Sequence, residues 1–143
     1  MLSENLALLV AVQGTANTTP LVSSYVSAKN AGEITALVHL GDMASETIDV
    51  AIYQATSSGG AGAKSAKAIT QLAASASAND SKQVKISMRA DELDVDGGFS
   101  FVAVRIVTGG ATGGTVFGAL LGSDLRFAPA SKVENATVIQ TVA

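Results

Sequence analysis

A chain of 143 residues with 48% hydrophobic and 15% charged residues is long enough for one domain with its own core and too apolar to stay disordered. The formal net charge is −3 and the nine Lys and Arg are scattered from Lys29 to Lys132, which argues against a phosphate-tracking surface and a polybasic membrane contact. Cysteine is absent, excluding disulfides and thiolate metal sites, and a charged fraction well under the usual quarter leaves part of the surface to be covered by a partner.

The first element is the apolar run Leu6 to Val12. Seven residues cannot cross a bilayer, and Glu4 stands where a secretory signal needs positive charge. The chain is therefore expected to be made in the cytoplasm. Leu6, Leu8, Val10 and Val12 alternate, and they are the candidate protein interface. They form either an N-terminal arm within residues 1–20 that adds as a strand to a neighbour, or an edge strand of the same domain. Both readings stay open, as they do for the terminal run Val138 to Val142.

Leu21 to Val26 reads as an early strand. Ile34, Ala36, Val38 and Leu40 then alternate against Thr35, Leu37 and His39, the pattern of a half-buried strand. Ile48, Val50 and Ile52 repeat it. His39 is the only histidine, and no carboxylate or serine pattern marks it as a ligand or a base. Gly59 to Ser65 superficially resembles a phosphate loop, but the two required glycine positions before Lys64 hold Ala63 and Ser58. Ala68 to Leu72 is a weaker strand candidate, and Ala73 to Ala78 is read as a loop, because short isolated helices are marginal.

The clearest strand is Lys82 to Arg89, with Val84, Ile86 and Met88 on one side and Lys85, Ser87 and Arg89 on the other. Glu92, Asp94 and Asp96 follow at every second position before Gly97, like the first half of a calcium loop. The twelfth position of such a loop needs a bidentate Glu but holds Ala103, so they are only a weak calcium candidate and no metal is expected. Phe99 to Val107 is apolar on both faces, as in a central strand. Gly109 to Gly114 has four glycines in six residues, which reads as a mobile loop. Val116 to Leu121 is a further strand.

Strands separated by turn chemistry about every ten residues point to an all-β domain. The expectation is a single β-sandwich over residues 1–143, jelly-roll-like, with about eight short antiparallel strands and an N-terminal arm or strand. No motif marks catalytic residues or a cofactor site, so the chain is not expected to be an enzyme.

Three stretches carry a resemblance: Ala90-Asp91-Glu92-Leu93-Asp94-Val95-Asp96-Gly97-Gly98-Phe99 running into Val102 to Arg105; Leu2 to Ala7 with Tyr25 to Asn30; and Leu125-Arg126-Phe127-Ala128-Pro129. Together they resemble small structural proteins encoded in the head-gene clusters of tailed bacteriophages. The pattern has a tyrosine where Phe127 stands, and aromatic residues near Gly118 to Leu121. The resemblance implies a decoration or cement protein on the outer surface of the capsid, with the major capsid protein as partner and a homotrimer as the common state. It implies no catalytic residue, no nucleic-acid partner and no membrane partner. Two alternatives are a tail or head–tail connector component and a β-sandwich receptor- or carbohydrate-binding module. With 4% aromatic residues and no tryptophan, the sequence offers little for stacking against sugar rings.

Overall fold

A computed structural model describes residues 5–126. It contains nine strands: β1 (Ala7–Ala16), β2 (Leu21–Val22), β3 (Val26–Ser27), β4 (Ala31–Met43), β5 (Ile48–Ala55), β6 (Lys64–Ala68), β7 (Gln83–Arg89), β8 (Phe101–Thr108) and β9 (Gly114–Leu125), with one 3-10 turn at Ala90–Glu92. One antiparallel sheet has the order β1-β9-β4-β7. The other runs β2-β8-β5-β6, with β3 also on β8.

β2 and β3 are one strand interrupted at Ser23–Tyr25, since both pair with β8 in the same direction. Counted so, the eight strands stand in the order 1-8-3-6 in one sheet and 2-7-4-5 in the other, which is the jelly-roll arrangement. The chain is thus an all-β sandwich of the expected kind. The terminal candidate Val138 to Val142 lies outside the described residues.

The period-two pattern decides what the two sheets enclose. Ile34, Val38 and Leu40 of β4 and Val116 and Leu120 of β9 face Ile48, Val50 and Ile52 of β5 and Val102, Val104 and Ile106 of β8, all essentially without solvent contact. Burying each such side chain contributes about 1.5–3 kcal/mol. Val84, Ile86 and Met88 close one margin of this layer, as their alternation predicts. Gly118 stands on the inner face of β9. A Cβ there would meet Val104 and Ile106 of the facing sheet at 3.3 and 3.4 Å, so the missing side chain lets the sheets approach closely at this point.

Three elements differ in detail from the periodicity reading. The early strand breaks because the Ser23 hydroxyl accepts the Val104 N–H at 3.0 Å, standing in for a ladder carbonyl. The weak strand sits earlier than Ala68 to Leu72: the loop after Ala55 closes directly on Lys64, so β6 begins there, and Leu72 keeps only an isolated bridge to Ile48. β8 begins at Phe101, because the Phe99 N–H is taken by the Asp94 carbonyl of the preceding turn and Ser100 only joins the chain to the ladder through Ala55 and Ala28.

Candidate interaction surfaces

The two outer faces of the sandwich carry different chemistry. On the outer face of the four-stranded sheet, cross-strand pairing lines residues up in rows. Leu8, Leu121, Thr35 and Ser87 form one row; Ala11, Ala119, Leu37 and Lys85 the next; Gln13, Phe117, His39 and Gln83 the third. On the β7 side the rows are polar, with the Thr35 and Ser87 hydroxyls 3.0 Å apart and Gln83 Nε2 3.2 Å from His39 Nδ1. On the β1 and β9 side they are apolar: Leu8, Ala11, Phe117, Ala119 and Leu121 lie together with Leu37 of β4. Phe117 and Leu37 remain 45% and 40% exposed. β1 holds no charged residue, and Asp124 is the only one in β9. The nearest charge in these rows is Lys85, paired with Leu37 at the β7 margin of the patch, and large exposed apolar patches are a mark of contact surfaces.

This patch differs from the interface expected at Leu6, Leu8, Val10 and Val12. Those four residues do not share a face, and the run is a strand of this chain's own sheet along β9. A register shift between Leu8 and Val10 marks a β-bulge. One extra residue reverses the alternation, so Leu8 stays outward while Val10 and Val12 turn into the sandwich, Val10 being buried. Leu6 precedes the strand and is half-buried. Of the four, Leu8 belongs to the exposed apolar rows. Leu37, Phe117 and Leu121 take the place of the others. The readable signal for them was an apolar residue at an outward position of an alternating strand.

The outer face of the other sheet is aromatic and cationic. The Arg105 guanidinium lies 5.1 Å from the centre of the Tyr53 ring, and both cover the small residues Ala51 and Ala103, which are buried although they point outward. Tyr25 joins them, its ring seated on Gly60, which adopts φ +80°. Partial burial raises the Tyr25 pKa and the neighbouring Tyr53 adds to this, against an opposing effect of Arg105. These residues are 80 positions apart in the chain at the extremes, and no local pattern joins them.

The acidic turn before β8 is tied down by cations. Glu92 accepts a hydrogen bond from Lys67 at 3.1 Å and another from the Arg89 backbone N–H at 2.7 Å. Asp94 pairs with Lys64 and accepts the Gly97 N–H. Hydrogen bonds from Arg89 and Lys67 hold the Glu92 pKa below the usual carboxylate range, and those from Lys64 and Gly97 do the same for Asp94. Asp96 lies on the exposed side of the turn. Glu92, Asp94 and Asp96 do not converge, and among the described residues no three carboxylate or histidine side chains come together as a ligand set for a metal ion. Lys64 also lies 4.2 Å from the centre of the Phe99 ring.

The glycine-rich segment 109–114, expected to be mobile, is latched. Glu46 accepts the N–H of Thr112 at 3.1 Å and of Gly113 at 3.0 Å. Gly113 adopts φ +56°, and a Cβ there would collide with the Ala16 carbonyl oxygen, so no other residue fits. Partial burial acts to raise the Glu46 pKa. Hydrogen bonds from the Thr108 hydroxyl and the N–H groups of Gly113, Thr112 and Gly110 outweigh it and hold the carboxyl below its usual range. The latch comes from a residue 66 positions away from Thr112. Local composition carries no trace of it.

No helix among the described residues is long and apolar enough to cross a membrane. No family model matches the sequence, and no curated protein matches it. Among solved structures the fold is similar to a protein of Bacillus endospore appendages, described as a family of disulfide-linked pili. The identity is 17%, with 84% of this chain and 89% of that chain covered and a TM-score of 0.42. It is also similar to a chain in the structure of infectious bursal disease virus Gx strain, at 11% identity and a TM-score of 0.41. There 87% of this chain covers 33% of the viral chain, about a third of its length.

Proposed function

We propose that this protein is a non-enzymatic structural component of a tailed-phage head, binding the outside of the major-capsid lattice as a decoration or cement protein. The observation that carries the reading is the apolar patch of Leu8, Leu37, Phe117 and Leu121, in which Leu37 and Phe117 are exposed. A sandwich that worked alone would cover such a patch with charge. The resemblance of Ala90 to Phe99, Tyr25 to Asn30 and Leu125 to Pro129 to phage head-cluster proteins supplies the partner. The chain acts as many symmetric copies, a trimer being the expected unit, so that weak contacts sum to strong attachment. By binding only the assembled lattice it stabilises that state by mass action.

The test is co-sedimentation of purified protein with shells that lack it. Leu37→Asp combined with Phe117→Asp changes exposed positions only. The variant is expected to fold with an unchanged Tm and to leave the shell. Saturation of the shell by this variant at the wild-type concentration refutes the docking face. Particle cryo-microscopy separates shell from tail or connector: hundreds of copies fit the first, a few copies the second.

A receptor- or carbohydrate-binding role is the second reading, favoured by the grouping of Tyr25, Tyr53 and Arg105 on the other face. Aromatic rings beside a guanidinium are suited to stacking and charge-assisted hydrogen bonds. Glycan-array binding that Arg105→Ala and Tyr53→Ala abolish would establish it.

A further inference from the structure

The three sequence stretches that carry the resemblance meet at one place. A pocket of about 460 Å³ is lined by Asp91, Leu93, Val95 and Phe99 from the first, by Lys29 from the second and by Arg126 from the third. Its wall is mainly apolar. Val95, at its rim, is 62% exposed, the most exposed large hydrophobic side chain among the described residues. An apolar residue held out on a short turn is costly to leave in water. The turn does not move freely, because Lys64 and Lys67 anchor Asp94 and Glu92 on one side and Gln54 accepts the Asp94 backbone N–H at 2.8 Å.

The charges at the rim are unequal. Asp91 is engaged by Arg89 through two hydrogen bonds, at 3.0 and 2.8 Å. Lys29 and Arg126 have no carboxylate within ion-pair distance among the described residues. The pocket therefore presents an apolar floor beside two cations that no described carboxylate pairs with, although Arg126 also lines a neighbouring hollow with Glu33, Asp91 and Asp124. The complementary ligand is an apolar side chain with a carboxylate next to it.

We propose that this pocket is a socket for an apolar side chain of the partner subunit, with a neighbouring carboxylate of that subunit reaching Lys29 and Arg126. The identity of the partner rests on the capsid reading above; the chemistry of the socket does not. The apolar sheet face supplies area, and the socket supplies register, because a side chain in a pocket fixes position as a flat patch cannot.

Two measurements test it. The first titrates the isotope-labelled full chain with acetyl-Phe-Glu-amide, using acetyl-Phe-Gln-amide as the uncharged control. The expected result is amide shift changes confined to residues 28–30, 90–100 and 126. Binding should be about tenfold weaker for the control and for Lys29→Glu with Arg126→Glu. Equal affinity for the two peptides, or shifts spread elsewhere, overturns the socket. So do ring contacts from Phe127 of the same chain to Val95 in the free protein. The second measures shell co-sedimentation of Val95→Asp and of the double charge reversal, both at exposed positions, with about tenfold loss expected at unchanged Tm. Wild-type attachment by both variants, while Leu37→Asp with Phe117→Asp detaches, overturns the socket and leaves the docking face standing. If the wild type itself ignores shells yet the charged peptide binds as expected, the socket stands and the capsid reading falls.

Discussion

The two outer faces of the sandwich are built by the same alternation and end with opposite surfaces. On the four-stranded sheet the outward positions of β1 and β9 hold Leu8, Ala11, Phe117, Ala119 and Leu121, beside Leu37 of β4. On the other sheet Ala51 and Ala103 stand outward too, but Arg105, Tyr53 and Tyr25 close over them. The small outward residues are thus covered on one face, while Ala11, Leu37 and Phe117 are left exposed on the other. Outward polarity is a property of a whole sheet face, set by what its neighbours reach over, and not of a single strand.

The largest expected effect concerns the layer both faces share. Gly118→Val places methyl groups where Val104, Ile106 and Val12 already lie within 3.4 Å of the Cβ position. Overpacking of this kind costs about 1–3 kcal/mol, so Tm falls by several degrees, and attachment weakens only as far as the fold does. Leu37→Asp with Phe117→Asp acts in the opposite sense: stability stays within about 0.5 kcal/mol and shell attachment is lost, as read by thermal scanning beside co-sedimentation. Arg105→Ala on the aromatic face removes the guanidinium from the Tyr53 ring, a contact worth about 0.5–1 kcal/mol at an exposed site. It should leave attachment unchanged, and any loss of attachment would mean that the two faces are not separate in function.

The smallest effect belongs to the latch at the end of the sandwich. Glu46 has its folded pKa below the ordinary glutamate value. Its contribution is therefore complete above that ordinary value and disappears as the pH falls through the depressed folded one. Glu46→Gln at neutral pH is expected to speed amide exchange at Thr112 and Gly113 about threefold, a local opening with the global fold intact. Acidification of the wild type should reproduce this, and exchange indifferent to both changes would show that the loop is held by other groups.

Much of the core was legible because alternation is a local signal. Ile34 to Leu40, Ile48 to Ile52 and Val84 to Met88 face inward as their spacing implies. The exposed apolar face was legible only in part. Leu8 lies on the apolar face, yet Val10 and Val12 were lost from it to a one-residue bulge, and a bulge is set by pairing with β9. The hydrogen bonds that Glu46 makes to the segment Gly109 to Gly114 were hidden for a related reason: Glu46 approaches from another strand connection. His39 fell on the outward side with Thr35 and Leu37, as its parity indicates.

From residue order alone came the strand periods, the turns between them, the absence of disulfides and basic runs, and hence an all-β sandwich with too little charge for its surface. Those features depend on neighbours two to ten positions apart, where backbone geometry is nearly independent of the rest of the chain. Which face stays bare, where Tyr25 meets Arg105, how Lys64 and Lys67 pin the acidic turn, and that Lys29, Val95 and Arg126 rim one pocket were decided by the tertiary structure. Each of these joins residues whose closeness comes only from the order in which strands pair, and that order is selected by the packing of the whole core.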